Sequence, residues 1–167
     1  MKTIYYVAAS LDGYIASPDG SVGFLDAFGD VDYGYNDFAA GIDTVVMGRS
    51  TYDQVLTFGD YPYADKRSII ISHRPITDAP PDCILHQGPL QDVAQHFTDK
   101  TWIVGGGNIA GQLLKLGLIT EIELYLIPVI LGGGIPLFGD EEVRQTLTPL
   151  PTKTFSNGVV RCHYIVD

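Results

Sequence analysis

The chain has 167 residues, 46% of them hydrophobic and 18% charged, with a formal net charge of −10. Such a chain is too apolar for disorder and large enough to bury a core, so one domain over residues 1–167 is expected. The acidic balance argues against a nucleic-acid partner, whose binding rests on Lys and Arg neutralising phosphates. No apolar run reaches the roughly 18 residues of a spanning helix, and the N-terminus enters a strand pattern directly, which predicts a cytoplasmic protein with no membrane association.

Thr3–Ala9 (TIYYVAA) is a β-branched and aromatic run suited to a strand buried on both faces. Ser10–Gly13 turns, with Asp12-Gly13 a turn dipeptide. From Ile15 to Val31 the chain is rich in Gly, Asp, Ser and Pro, too long for a simple connector and typical of a binding loop. A short helix is predicted over Asp32–Ala40, stopped by Gly41. Asp43–Met47 is a second core strand, and Thr51–Leu56 begins a helix with a hydroxyl residue where an N-cap belongs. Arg67–Ile71 is a third strand, Cys83–Leu85 a short fourth, and Leu90–Phe97 a helix with Val93, Ala94 and Phe97 inward. Thr101–Gln112 (TWIVGGGNIAGQ) predicts a strand, a three-glycine turn and a helix over Ile109–Leu116. Glu121–Val129 is a further strand, Leu131–Phe138 holds a second glycine cluster, and Glu141–Arg144 is expected to turn. Thr154–Phe155 and Val159–Val166 flank Asn157-Gly158, a strong hairpin signal. Strands alternating with helices predict a mostly parallel α/β sheet with an antiparallel C-terminal hairpin.

Cys83 and Cys162 lie far apart in apolar surroundings and are expected buried, reduced and inert. The four histidines are scattered and no metal-ligand spacing is present, so no metal site is expected.

Three polar turns follow carboxyl ends of predicted core strands: Gly48–Thr51, Ser72–Arg74 and Gly105–Asn108. In a parallel sheet those ends share one edge, where ligands bind. Together the turns offer glycine N–H groups, hydroxyls and two arginines, which suits the pyrophosphate and a further phosphate of a dinucleotide. Gly105, Gly107 and Ala110 fit a G-x-G-x-x-A spacing, but the Rossmann pattern also needs an acid at the end of the next strand. Here that end is Ile127-Pro128, so a Rossmann domain is set aside.

ASLDGYIA (Ala9–Ala16), VVMGRSTYD (Val45–Asp53), IIISHRP (Ile69–Pro75), WIVGGGNIAGQLL (Trp102–Leu114) and LYLIPVILGGGIPLF (Leu124–Phe138) together resemble the dihydrofolate reductase superfamily. The likeness is strongest to the branch that includes the reductase domain of the riboflavin-biosynthesis protein RibD, and covers nearly the whole chain. It implies a three-layer α/β fold of the dihydrofolate reductase type, NADPH as hydride donor, a small-molecule substrate and a homodimer. By motif, Gly48, Arg49, Ser50 and Thr51 would meet the adenosine side and pyrophosphate, and Ser72, His73 and Arg74 the adenine and 2′-phosphate. Gly105, Gly106, Gly107, Asn108 and Ile109 would hold the pyrophosphate and nicotinamide side. Ala8 or Ala9 would lie under the nicotinamide, and Asp12–Phe28 matches the loop that closes over both ligands.

The chain departs from that pattern on the substrate side. Gly34 and Ile127 align with the acid and the Thr that bind the pterin in true dihydrofolate reductases, which disfavours folate reduction. Ser21–Tyr35 is acidic and aromatic, without the cation that grips a ribose phosphate in the riboflavin enzymes. Asp12 is the candidate acid, being at the mouth of the first strand, although a turn role competes. Asp32, Tyr35, Gly133 and Gly134 are further candidates for the substrate side. The expected activity is NADPH-dependent reduction of a small heterocycle, resembling 5-amino-6-(5-phosphoribosylamino)uracil reductase; the alternatives are a true dihydrofolate reductase and a nucleotide-binding protein without turnover.

Overall fold

The computed structural model describes all 167 residues. Its sheet is built outward from β1 (Lys2–Ser10), which runs parallel to β6 (Lys100–Gly105) on one side and β7 (Glu121–Ile127) on the other. Beyond β6 follow β3 (Thr44–Gly48), β4 (Arg67–Ile71) and β5 (Cys83–His86), each parallel to its neighbour. Beyond β7 the hand changes. The antiparallel β11 (Val160–Val166) pairs with β7, and β10 (Lys153–Thr154) and β9 (Leu147–Pro149) pair with β11. A separate two-stranded ribbon joins β2 (Tyr14–Ala16) to β8 (Ile135–Pro136).

The uninterrupted apolar runs have a simple cause: successive residues of a strand face opposite sides, and here both sides are covered. Tyr5, Val46, Ile69 and Ile103 pack on one side with Ala110, Leu113 and Leu114 of helix α3 (Gly107–Lys115). Ile4, Val45, Met47, Ile70 and Trp102 pack on the other with Tyr52 and Val55 of helix α2 (Arg49–Val55). Each Val, Leu, Ile or Met among them, fully buried, is worth about 1.5–3 kcal/mol. Helix α1 (Tyr35–Ala40) lies on the α2 side, where Phe38 stacks on Tyr6 with centroids 4.0 Å apart. A smaller cluster of Tyr125, Ile127, Phe155 and Val159 fills the space under the C-terminal hairpin.

Several boundaries differ from expectation. α1 starts three residues late, at Tyr35, after Gly34 turns with a φ of 80°. α2 is capped by Gly48 with no side-chain bond, so Ser50 and Thr51 lie inside its first turn and leave their hydroxyls for other partners. Leu90–His96 winds as a 3₁₀ helix, with Phe97 outside it and only Val93 fully buried. The turn expected at Glu141–Arg144 falls instead at Leu137–Asp140, and β7 ends at Ile127. The long loop contains β2 and a 3₁₀ segment over Gly23–Phe28. Both cysteines are free but partly exposed rather than buried; burial and Asp82 still push the Cys83 thiol up.

At the amino-terminal edge of the parallel strands, buried Glu121 receives Lys2 Nζ at 2.7 Å and His163 Nε2 at 2.9 Å. Burial raises the Glu121 carboxyl, but these two partners outweigh it and hold the group below its ordinary value. This polar clamp stands at the opposite end of the sheet from the carboxyl edge, where the turns gather.

Candidate functional site

At the carboxyl edge a cavity of about 970 Å³ opens over β1, β3 and β6. Its floor includes Tyr6, Val7 and Ala8 of β1, Ile71 of β4, and Trp102 and Val104 of β6. One wall is the start of α2, with Gly48, Arg49, Ser50 and Thr51; the facing wall is the start of α3, with Gly106, Gly107, Asn108 and Ile109. The two walls approach closely. A side chain on Gly48 would stand 2.9 Å from Ile109 Cγ1, and one on Gly106 would meet the Thr51 hydroxyl at 3.4 Å. Glycine at both positions keeps the cleft open between the walls.

The first α3 bond runs from Ala110 N–H to Gly106 C=O, so the N–H groups of Gly107, Asn108 and Ile109 lack helical partners. Those donors and the positive end of the helix make this end of the cavity receptive to an anion. Gly107 has its own constraint: a Cβ there would run into the carbonyl of Pro136 and crowd Gly139 N, so α3 lies directly on the segment after β8. The Gly105–Gly106 peptide is cis.

The third turn stands beyond the α2 wall rather than in the lining. Arg49 Nη1 donates to the carbonyls of Arg74 at 3.3 Å and Pro75 at 2.9 Å, tying the start of α2 to the loop after β4. Ser72 turns its hydroxyl onto Arg74 N–H, while His73 and Arg74 are exposed. Asp53 receives Arg49 Nε at 2.8 Å and stands 3.8 Å from Arg74 Nη2, so one carboxylate opposes both cations. Sequence reading missed this acid, although its position four residues after Arg49 on a helix is the usual signal for such a pair.

The long loop forms the roof. Ile15, Ala16, Pro18–Val22 and Leu25 line the cavity, and Gln54 Nε2 donates to the Gly20 carbonyl at 2.7 Å, holding the loop down on α2. Gln54 is a second residue the sequence did not single out; only the fold brings it under the loop.

Beside the cavity, and sharing Tyr6, Ala8 and Leu25 with it, lies a chamber of about 290 Å³. Its remaining lining is Phe28, Gly29, Tyr33, Tyr35, Tyr125, Ile127 and Val159, with no charged side chain. Tyr33 donates its hydroxyl to Phe28 C=O at 2.6 Å and receives Asn157 Nδ2 at 2.6 Å, which fixes the aromatic wall to the C-terminal hairpin. The Tyr125 hydroxyl lies 3.0 Å from a Glu123 carboxylate oxygen, and burial drives its proton affinity far up. Tyr125 is therefore a neutral phenol at any working pH.

The remaining candidates take other positions. Ala8, not Ala9, lines both spaces; Ala9 is fully buried on the opposite face of β1. Asp12 is exposed and accepts Ser10 Oγ at 2.6 Å and the N–H groups of Leu131 and Gly132. The Ser10 hydroxyl foremost, then those two amides, holds its carboxyl below the usual range. It fastens the β1 turn to the glycine cluster and lines neither space. Asp32 is exposed and bonds Gly34 N–H at 2.8 Å. Gly133 and Gly134 line neither space; at Gly134, with φ 144°, a side chain would strike the Ala16 carbonyl where the chain crosses β2. Tyr35 does line the chamber, at its rim.

The family model for the RibD C-terminal domain matches residues 1–161. The uncharacterized protein YwjB of Bacillus subtilis (strain 168) is 38% identical, with 98% of this chain and 97% of that protein covered. A solved structure from Shewanella sp. PV-4, named "Putative riboflavin biosynthesis protein", superposes with a TM-score of 0.85 at 30% identity, covering 100% of this chain and 99% of that one. A diaminohydroxyphosphoribosylaminopyrimidine deaminase/5-amino-6-(5-phosphoribosylamino)uracil reductase from Thermotoga maritima shares the fold, with a TM-score of 0.74 at 14% identity, over 99% of this chain and 56% of that one. The chain belongs to the RibD C-terminal domain family, a branch of the dihydrofolate reductase superfamily.

Proposed function

We propose that this protein is an NADPH-dependent reductase of a small ring compound, with the cofactor in the large cavity and the substrate in the chamber beside it. The observation that carries the reading is the pairing of the two spaces across Tyr6 and Ala8, one ringed by phosphate-binding groups and one by aromatic carbon. The residues present fit the dinucleotide: unpaired amides of Gly107, Asn108 and Ile109 for its pyrophosphate, Ser50 and Thr51 hydroxyls opposite, and Arg49 with Arg74 toward a 2′-phosphate. When bound, the reduced nicotinamide supplies a hydride.

The chain's own part is placement. Ala8 is small enough to let a ring approach the sheet, and Trp102, whose Nε1 donates to Tyr6 C=O at 3.2 Å, fixes the floor. The roof loop, held through Gln54, shields the reacting faces from water. Dihydrofolate is a poor candidate: Gly34 is exposed outside the chamber, and Ile127 lines it without a hydrogen-bonding group.

The test is to follow NADPH oxidation by its near-ultraviolet absorbance across a panel of pterins, pyrimidines and quinones. Oxidation with at least one ring compound supports the reductase. Binding of NADPH with no oxidation across the panel would instead favour a nucleotide-binding protein without turnover.

A further inference from the structure

We propose that the substrate is an uncharged, planar one- or two-ring heterocycle without a phosphate, which rests on the reductase reading but departs from the phosphorylated substrate named for the Thermotoga maritima relative. Three observations carry this. The chamber, at about 290 Å³, lies at the small end of ligand sites, room for a ring rather than a ring with a sugar phosphate.

Its polar groups are tyrosine hydroxyls, and two of the four are engaged. Tyr33 bonds Phe28 C=O and Asn157, and Tyr125 bonds within reach of Glu123 and Tyr33 C=O. Tyr6 is held by stacking on Phe38, and Tyr35 stands at the rim, 42% exposed. Such a lining offers flat faces and one or two neutral hydrogen bonds, the recognition chemistry of a neutral aromatic ring.

The charge around it is of the wrong sign for phosphate. Asp26, Asp30 and Asp32 are the chain neighbours of lining residues Leu25, Gly29 and Tyr33, and Ser21–Tyr35 contains no Lys or Arg. The nearby cations are outside the lining: Arg161 stands 3.8 Å from Glu123, its buried Nε without a hydrogen-bond partner, and Lys153 lies over the Phe155 ring at 4.8 Å. A phosphate dianion in the chamber would lose its water and find no cation in the lining to replace it.

Calorimetric titration with 5-amino-6-ribitylaminouracil and its 5′-phosphate tests this, each with and without saturating NADPH, alongside lumazine as a bare two-ring probe. The unphosphorylated compound and lumazine are expected to bind about tenfold or more tightly than the phosphate. Phe28→Ala should weaken lumazine about fivefold while NADPH affinity stays within about twofold. Equal or tighter binding of the phosphate, or lumazine binding unmoved by Phe28→Ala, would overturn the inference. Because NADPH is titrated in the same series, its failure to bind would sink the reductase reading alone, while the ring-versus-phosphate comparison would still decide this one.

Discussion

The large cavity and the small chamber share a wall but are built in opposite ways. The cavity is made of short chain segments: Gly48–Thr51 and Gly106–Ile109 each turn from a strand into a helix and expose consecutive groups. The chamber takes one or two separated residues each from β1, the 3₁₀ segment, α1, β7 and the C-terminal hairpin, brought together by the sheet order. A phosphate is held by amides and cations, which local motifs can supply; a ring is held by shape, which needs the whole fold.

The first way to break the comparison is to fill the cavity's own backbone. Gly107→Val would drive a branched side chain into the Pro136 carbonyl and Gly139 N. It is expected to lower stability by about 3 kcal/mol, read as a fall in the denaturant midpoint, and to abolish NADPH binding. A variant of wild-type stability would mean that α3 has room to shift away from β8.

A gentler probe addresses the cations. Arg49→Ala should weaken NADPH by about 10- to 30-fold in dissociation constant, the worth of one charge-assisted contact, and NADH by much less. Asp53→Asn should act in the opposite direction and only about twofold, because this acid and Arg74 are both well exposed and screened. Equal losses for both cofactors in Arg49→Ala would leave the arginine as only a tie to Arg74 and Pro75.

The third prediction concerns the far edge and serves as a control for both spaces. Glu121→Ala should cost about 2 kcal/mol, below the range for a fully buried pair because Lys2 is half exposed, with cofactor affinity unchanged. The Glu121 carboxyl is held below its ordinary value of about 4.3, so its contribution is complete at neutral pH and is lost as pH falls through the folded value. Acid unfolding curves of wild type and variant should therefore converge at low pH; a constant offset would exclude the carboxylate as its source.

Much of the parallel sheet was legible because each core strand is a continuous apolar run closed by glycine or a polar turn. Arg67–Ile71 matches its predicted bounds, and β3, β5 and β6 lie close to theirs. The hairpin at Asn157-Gly158 was legible for the same local reason. What failed depended on contacts distant in sequence. Ala8 and Ala9 are adjacent and both small, and only the pleat of β1 against β6 and β7 decides that Ala8 faces the cavity. Asp12 carries a turn signal, but its partners Leu131 and Gly132 lie about 120 residues on. Tyr6 and Tyr125 lie within strands, and their place in the chamber wall follows from β1 and β7 being neighbours.

Trp102 provides the most direct test of the central claim, since it is the one tryptophan in the chain and lines the large cavity. Titrating NADPH into the protein should quench its fluorescence in a saturable way, with energy transfer to the reduced nicotinamide, and NADH should require higher concentrations for the same effect. An unchanged tryptophan signal up to millimolar NADPH would contradict the account.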